Sequence, residues 1–408
     1  MPGTGKRLSR GGGVLAGAVL AATVAAGPAS AGTLAPLLAA EGGTPNGGYL
    51  VVLKAGRITG EDPAETARAA GGRDVHRYRA VLTGFSAELS PAALAKVRAN
   101  PNVAYVRADA VVQAVEDQPA AREAPRAADA RTNPPSWGLD RIDQRELPLD
   151  DEYDFTTTGA GVTVYVVDSG IRATHDDFGG RAAGVYNAVN DNRGTEDCHG
   201  HGTHVAGTIG GSTYGVAPDV QIRAVRVLDC RNAGTNADLI EGMDWIAANA
   251  PAGSIANLSL QNYGSVVNAA AERLIDAGVL PVFIGGNQNR DACPNAPRSW
   301  RGITVGASTR TDARWASSND GPCVDLFAPG ENITSAGIAD DGAVATGWSG
   351  TSMAAPHVSG WLARYLEAHP GATLAEAKEA VVSAATTGVL TGIRNGSPDR
   401  LLYAAEDS

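Results

Sequence analysis

Positive charge is in short supply in this 408-residue chain: 33 lysines and arginines stand against 44 aspartates and glutamates, for a formal net charge of −11. The basic residues form no dense run, which excludes a general polyanion binder, and nucleic acid is not an expected partner. Long apolar runs are missing too. The longest, residues 14–26, falls short of the roughly 20 residues that cross a bilayer, so no membrane span is expected. Cysteine is scarce, with four residues, all from position 198 onward. There are no internal repeats, and without heptads or interaction tails the expectation is a monomer.

Lys6, Arg7 and Arg10 precede the apolar run, and Ala29-Ser30-Ala31 follows it. Basic head, apolar middle and small-x-small end have the form of an export signal, so residues 1–31 are expected to be a signal peptide and the protein to be secreted and extracellular. In an exported chain an even cysteine count favours disulfides, and Cys198, Cys230, Cys293 and Cys323 allow three pairings.

A Gly- and Ala-rich spacer (32–47) leads to a segment, 48–113, with its own alternation. Residues 49–53 read as a strand, 63–70 as a helix, 77–89 as strand material turning at Gly84, 91–99 as a second helix and 103–107 as a closing strand. These predict a small α/β domain. Residues 114–135, rich in Ala, Glu, Arg and Pro without periodicity, predict an exposed, protease-sensitive linker. From 136 to 408 short apolar runs alternate with helical patterns, as in a mostly parallel sheet covered on both faces. Strands are expected at 162–167, 220–228, 255–260, 279–284 and 303–307, and helices at 236–249, 266–276, 352–369 and 373–385. In open sheets of this kind ligands bind beyond the carboxyl ends of the strands, where three polar residues fall.

Asp168 follows the apolar run VTVYVV, His201 lies in GHGTHVAGT and Ser352 in SGTSMAAPHVSG. Taken singly they have ordinary uses as a turn cap, a core histidine and an N-cap serine. Together they supply what acyl transfer needs. A serine hydroxyl is a weak nucleophile, an imidazole must accept its proton, and a carboxylate must hold the imidazole tautomer and stabilise the imidazolium.

With these motifs in the order Asp, His, Ser, the chain resembles the subtilisins, and among them the proteinase K and aqualysin group, from about Gly48 to Tyr403. The resemblance implies a secreted serine endopeptidase that cleaves proteins and peptides through an acyl-enzyme. It also implies a three-layer fold with a mostly parallel twisted sheet between helices. YLVVLK, GFSAELS and ANPNVAYVRAD resemble the subtilisin prosegment, implying a ferredoxin-like prodomain at 48–113 that assists folding and inhibits its own enzyme, with maturation in the 114–135 linker and a peptidase domain at 136–408. Asn287 in VFIGGN and the Ser352 N–H are the implied oxyanion donors. Substrate is implied to lie as a strand between Asn232, Ala233 and Gly234 on one side and Ser259, Leu260 and Gln261 on the other. The resemblance pairs Cys198 with Cys230 and Cys293 with Cys323, and implies structural calcium held by Asp325 with the carbonyls of Trp300 and Gly302.

Four positions depart from the family pattern. Gln261 and Asn262 replace a usual Gly-Gly, His199 stands where Asn is common, and Gly285 where Ala is common. Gln261, Asn262 and His199 motivate one alternative, an inactive binding protein on the same fold, which labelling of Ser352 by a fluorophosphonate would exclude. The crowding of His199, His201 and His204 suggests another, a metallohydrolase, but the HExxH glutamate and spacing are missing.

Overall fold

The computed structural model describes residues 34–41, 45–56, 59–114, 132–261, 264–294 and 301–404. The expected signal peptide and most of the expected linker lie outside the described residues.

The N-terminal layer comprises β1 (Leu37–Leu38), β2 (Pro45–Leu53), α1 (Pro63–Ala69), β3 (Arg73–Tyr78), β4 (Gly84–Glu88), α2 (Pro91–Ala99) and β5 (Val103–Gln113). Both helices start where the sequence signals a start. Asp62 and Ser90 cap the two N-termini, and a proline occupies the first turn of each. The strands pair in the order β1-β5-β2-β4-β3. One face of this sheet closes with the helices over a small core that includes Val51, Phe85, Leu94, Val97 and Val106.

Two details differ from the sequence expectation. Gly84 opens β4 instead of making the turn: a Cβ there would lie 2.2 Å from the Val51 carbonyl oxygen, so glycine is required for close strand approach. The expected spacer also takes part. Leu37 and Leu38 pair in parallel with Val106 and Arg107, and Glu41 forms an ion pair with Arg107 and accepts from the N–H and hydroxyl of Ser265.

The larger part runs through α3 (Trp137–Asp143), β6 (Thr163–Asp168), β7 (Ala182–Asn187), α4 (His201–Gly210), β8 (Gln221–Arg226), β9 (Ala233–Thr235), α5 (Asn236–Asn249), β10 (Ser254–Leu258), α6 (Ser265–Asp276), β11 (Val279–Ile284), β12 (Ile303–Ser308), β13 (Leu326–Pro329), β14 (Ile333–Ala336), β15 (Val344–Trp348), α7 (Thr351–Ala368) and α8 (Leu374–Ala384). Seven strands pair in the order β13-β12-β11-β10-β6-β8-β7, all in parallel. Apolar residues cover both faces. Val164 and Val166 of β6 join one core with Val205, Val358 and Leu362, while Tyr165 and Val167 join another with Leu239, Met243 and Leu274. A strand buried on both faces is apolar at most positions, which is why VTVYVV is a nearly continuous run. The chain leaves β6 toward β7 and β8 and leaves β10 toward β11 on the other side, so a crevice opens between the carboxyl ends of β6 and β10.

The N-terminal layer docks on α5 and α6. Tyr78 donates its hydroxyl to the Ala237 carbonyl at 3.1 Å. The Asp244 carboxylate receives the backbone N–H groups of Arg79 (2.9 Å), Ala80 (2.7 Å) and Val81 (2.9 Å), capturing the turn between β3 and β4. A charged acceptor contributes about 1.5–3 kcal/mol per hydrogen bond. Asp244→Ala should therefore speed amide exchange at residues 79–81 of the full-length chain by roughly tenfold or more. Unchanged exchange at those amides by mass spectrometry would show that the turn is held elsewhere.

Candidate active site

Asp168 is the last residue of β6 and is fully buried. Its Oδ1 accepts the Ser169 N–H at 2.7 Å and the Nδ1–H of His201 at 2.7 Å. His201, also fully buried, begins α4. The surrounding glycines set this approach: a Cβ on Gly202 would lie 2.1 Å from the Gly170 carbonyl oxygen, so another residue there would push the helix away from Asp168. The helix start is held by Asp197, which the sequence reading did not single out. Its Oδ1 accepts from His199 N–H, Gly200 N–H and the Ser169 hydroxyl, and its Oδ2 from the Thr203 N–H and hydroxyl. An aspartate just ahead of a helix start is a recognisable capping signal, and it was available in DCHGHGT.

Ser352 stands in the first turn of α7, next to the Gly350 N-cap, and is fully buried. Two reciprocal bonds lock it to the end of β10. Its Oγ donates to the Ser259 carbonyl at 3.3 Å, and the Ser259 hydroxyl donates to the Ser352 carbonyl at 3.1 Å. Asn257 extends the lock, donating to Ser259 Oγ and accepting from Ser359 Oγ, each at 2.9 Å. Helices α4 and α7 pack together. Trp348, immediately before α7, stacks on His204 at 4.9 Å and lies 6.4 Å from the His201 ring. Asn287, beyond β11, accepts the Thr351 N–H at 3.0 Å and the Thr351 hydroxyl at 2.6 Å on Oδ1, which sets the orientation of its amide beside the start of α7.

The candidate cleft holds a strand of the same chain. β5 continues six residues past the expected end at 107, and Val111, Val112 and Gln113 pair antiparallel with Thr235, Gly234 and Ala233 of β9. On the other side Gln113 bridges Gln261, whose N–H donates to the Gln113 carbonyl at 3.1 Å. Asn232, in a left-handed conformation at φ 59°, donates its side-chain amide to the Ala114 carbonyl at 3.5 Å. The strand's partners lie in the larger part, so local pattern in 103–113 could not reveal its length. Leu260 is buried in the core beside α6. The Gln261 side chain accepts from the Gln288 amide, bridging the two segments that flank Ser352. Asn262 lies outside the described residues.

Cys198 is bonded to Cys230 and Cys293 to Cys323. The first bridge ties the loop before α4 to the loop before β9, bracing two sides of the cleft. Among the other histidines, His204 donates Nε2–H to the Ile333 carbonyl and His357 donates Nδ1–H to the Met353 carbonyl. His201 being committed to Asp168 and His204 to Ile333, their rings do not converge on a common centre.

Of the expected calcium ligands, Asp325 and the Gly302 carbonyl lie close together. Trp300 lies outside the described residues. Asp325 and the Gly302 carbonyl both contact the Lys378 ammonium, at 3.1 and 2.5 Å, a cation that the sequence reading did not place there. Elsewhere Asp140 and Asp143 of α3 receive N–H groups of the following loop, and the Asp143 carboxyl is pushed up to about 7 by burial and then by Asp150, Asp140 and Asp154. Among the described residues no three His, Cys, Asp or Glu side chains converge closely enough to hold a metal ion.

Residues 159–400 match the Subtilase family and residues 49–114 match the Peptidase inhibitor I9 family. The chain is 46% identical over 328 residues to an extracellular serine proteinase of a Thermus strain, covering 80% of this chain and 76% of the relative. It is 45% identical over 329 residues to an alkaline serine exoprotease A of Vibrio alginolyticus, covering 80% of this chain and 59% of the relative. Among solved structures, a cold-adapted subtilisin-like serine proteinase is 47% identical with a TM-score of 0.64, covering 66% of this chain and 98% of that one. Fervidolysin from Fervidobacterium pennivorans, 21% identical with a TM-score of 0.71 over 92% of this chain and 63% of its own, shares the fold.

Burial determines how the site region responds to acid. It pushes His204 down to about 3, against the Ile333 hydrogen bond and aided by His201 and His357, and pushes His357 down to about 4, against its Met353 bond. Both rings are neutral in the folded state, whereas in the unfolded chain they take up protons near pH 6.5. Their contribution to stability is thus fully present above pH 6.5 and is lost as pH falls towards the folded values. Each can remove up to about 1.4 kcal/mol per pH unit in that window. Denaturant titrations from pH 7 to pH 4.5 should show this decline, and His357→Asn should lower absolute stability while flattening it. An unaltered slope in the variant would contradict the assignment.

Proposed function

The chain belongs to the subtilase family, and from that premise we propose that Asp168, His201 and Ser352 form its catalytic triad. The enzyme is a subtilisin-like serine endopeptidase carrying an inhibitory N-terminal segment. The observation that carries the residue assignment is the buried 2.7 Å bond from His201 Nδ1 to Asp168, with Ser352 on the helix packed against that of His201. The carboxylate fixes Nδ1 as the protonated nitrogen, which gives Nε2 the role of base. Ser352 Oγ attacks the scissile carbonyl carbon as Nε2 takes its proton, and the imidazolium returns that proton to the leaving amine. The Asn287 side-chain amide and the Ser352 N–H receive the negative oxygen of the tetrahedral intermediate. Loss of one such donor costs on the order of 10²–10³-fold in kcat, a magnitude for which subtilisin itself is the reference case.

Substrate binds as β5 does, as an extended strand between Ala233–Gly234 and Gln261, through main-chain pairing that tolerates many side chains. The N-terminal segment is thereby an intramolecular inhibitor, and the larger domain is released by self-cleavage just beyond β5. Export precedes maturation, and the enzyme works outside the cell as a monomer on protein and peptide substrates. Subtilases commonly bind structural calcium.

Ser352→Ala should yield an exported precursor that retains Tyr49 and the rest of β2, whereas the parent should lose them. The parent's mature N-terminus, read by intact mass and terminal sequencing, should fall within a few residues of Ala114. Complete maturation of the variant in a protease-deficient host would count against self-processing. In the matured enzyme, Asp168→Asn should reduce kcat by on the order of 10⁴-fold with the fold intact.

A further inference from the structure

At the end of the sheet opposite the cleft, the amino ends of β12 and β13 lie side by side. Asp325, the residue before β13, donates its N–H to the Thr304 carbonyl at 2.9 Å and accepts the Thr304 N–H on Oδ2 at 2.8 Å. This exchange fixes the carboxylate on the sheet. Its Oδ1 meets Lys378 of α8, whose Nζ is 3.1 Å away and donates to the Gly302 carbonyl at 2.5 Å. The contact is largely shielded from solvent, with side-chain exposures of 20% for Lys378 and 27% for Asp325.

The position of Lys378 is set by its helix. A capping box between Thr373 and Glu376 defines the start of α8, and Ala377 and Val381 are buried against the core. Lys378 therefore follows a fixed residue on a helix of fixed phase.

The family resemblance expects a calcium ion between Asp325 and the Gly302 carbonyl. Calcium takes about six to eight oxygens at roughly 2.3–2.6 Å. Here one Asp325 oxygen is committed to a backbone N–H, and the other shares an ammonium with the Gly302 carbonyl. A divalent ion on those two oxygens would have to displace the ammonium or sit against it, at a cost in like-charge repulsion. The ammonium brings a positive charge and three donors, and its attachment to the chain removes any need for ion uptake.

We infer that the Lys378 ammonium is the resident cation between Asp325 and Gly302, taking the place of calcium there and pinning α8 to the sheet edge without a metal. This goes beyond the assignment of the catalytic residues and does not depend on it.

The test counts bound calcium by isothermal titration calorimetry and follows thermal unfolding, using the full-length Ser352→Ala chain to prevent autolysis. Lys378→Met and Lys378→Ala should each bind one calcium ion more than that parent, and adding Asp325→Asn to either should cancel the gain. Both Lys378 variants should melt lower than the parent in calcium-free buffer and recover with calcium on the order of millimolar. Asp325→Asn alone should leave the parent's calcium count unchanged. Loss of one ion from the parent on Asp325→Asn overturns the inference, as does failure of both Lys378 variants to gain one. Every count is relative to the same parent, so calcium bound elsewhere on the chain does not affect the outcome.

Discussion

Helix α4 begins in direct contact with the loop that leaves β6, and the 2.7 Å bond between His201 and Asp168 exists only because it does. Two features permit the approach. Gly202 leaves room for the Gly170 carbonyl, and Asp197 gathers the N–H groups at the helix start that would otherwise be buried unpaired. The bond is buried on both sides, so the carboxylate's charge acts on the imidazole in a medium of low dielectric. The position of Ser352 then follows from the packing of α7 on α4 and from the reciprocal bonds between α7 and β10.

A single strand, β5, serves two purposes. Its first half closes the N-terminal sheet against β2, and its second half lies in the cleft between β9 and Gln261. The same backbone hydrogen bonds that complete the small domain thus continue into the groove where substrate is proposed to bind. An inhibitor built in this way needs no special side chains at the cleft, because pairing is through the main chain. Specificity in docking comes instead from the far side of the layer, where Asp244, Ala237 and Ser265 hold the turn, Tyr78 and Glu41.

The two ends of the parallel sheet are used differently. The carboxyl ends of β6 and β10 open a crevice, with Asp168 at the end of β6 and Ser259, just past β10, holding Ser352. At the amino ends of β12 and β13, strands, a preceding carbonyl and α8 are drawn together around one ammonium. That division follows from geometry: the connections leaving β6 and β10 part to opposite sides at the carboxyl ends, leaving the opposite rim free for purely structural contacts.

Much of this protein could be read from the sequence. Near-continuous apolar runs marked β6 and β11, and apolar-rich runs marked β8, β10 and β12, because a strand covered on both faces has little polar side to interrupt it. The motifs around Asp168, His201 and Ser352 pointed to acyl transfer because they place a carboxylate, an imidazole and a hydroxyl at turns between such runs and helices. Other features were hidden because their partners are distant in the chain. The edge strands β7 and β13 have weak local patterns. The cleft half of β5 is ordered by β9, more than 100 residues away, and the contact of Lys378 with Asp325 requires a helix and a sheet edge to be packed first. Sequence alone determined which chemical groups the chain possesses and the secondary structure around them. Tertiary structure alone decided which of those groups meet, because hydrogen bonds and ion pairs at about 3 Å depend on packing between segments that local periodicity does not encode.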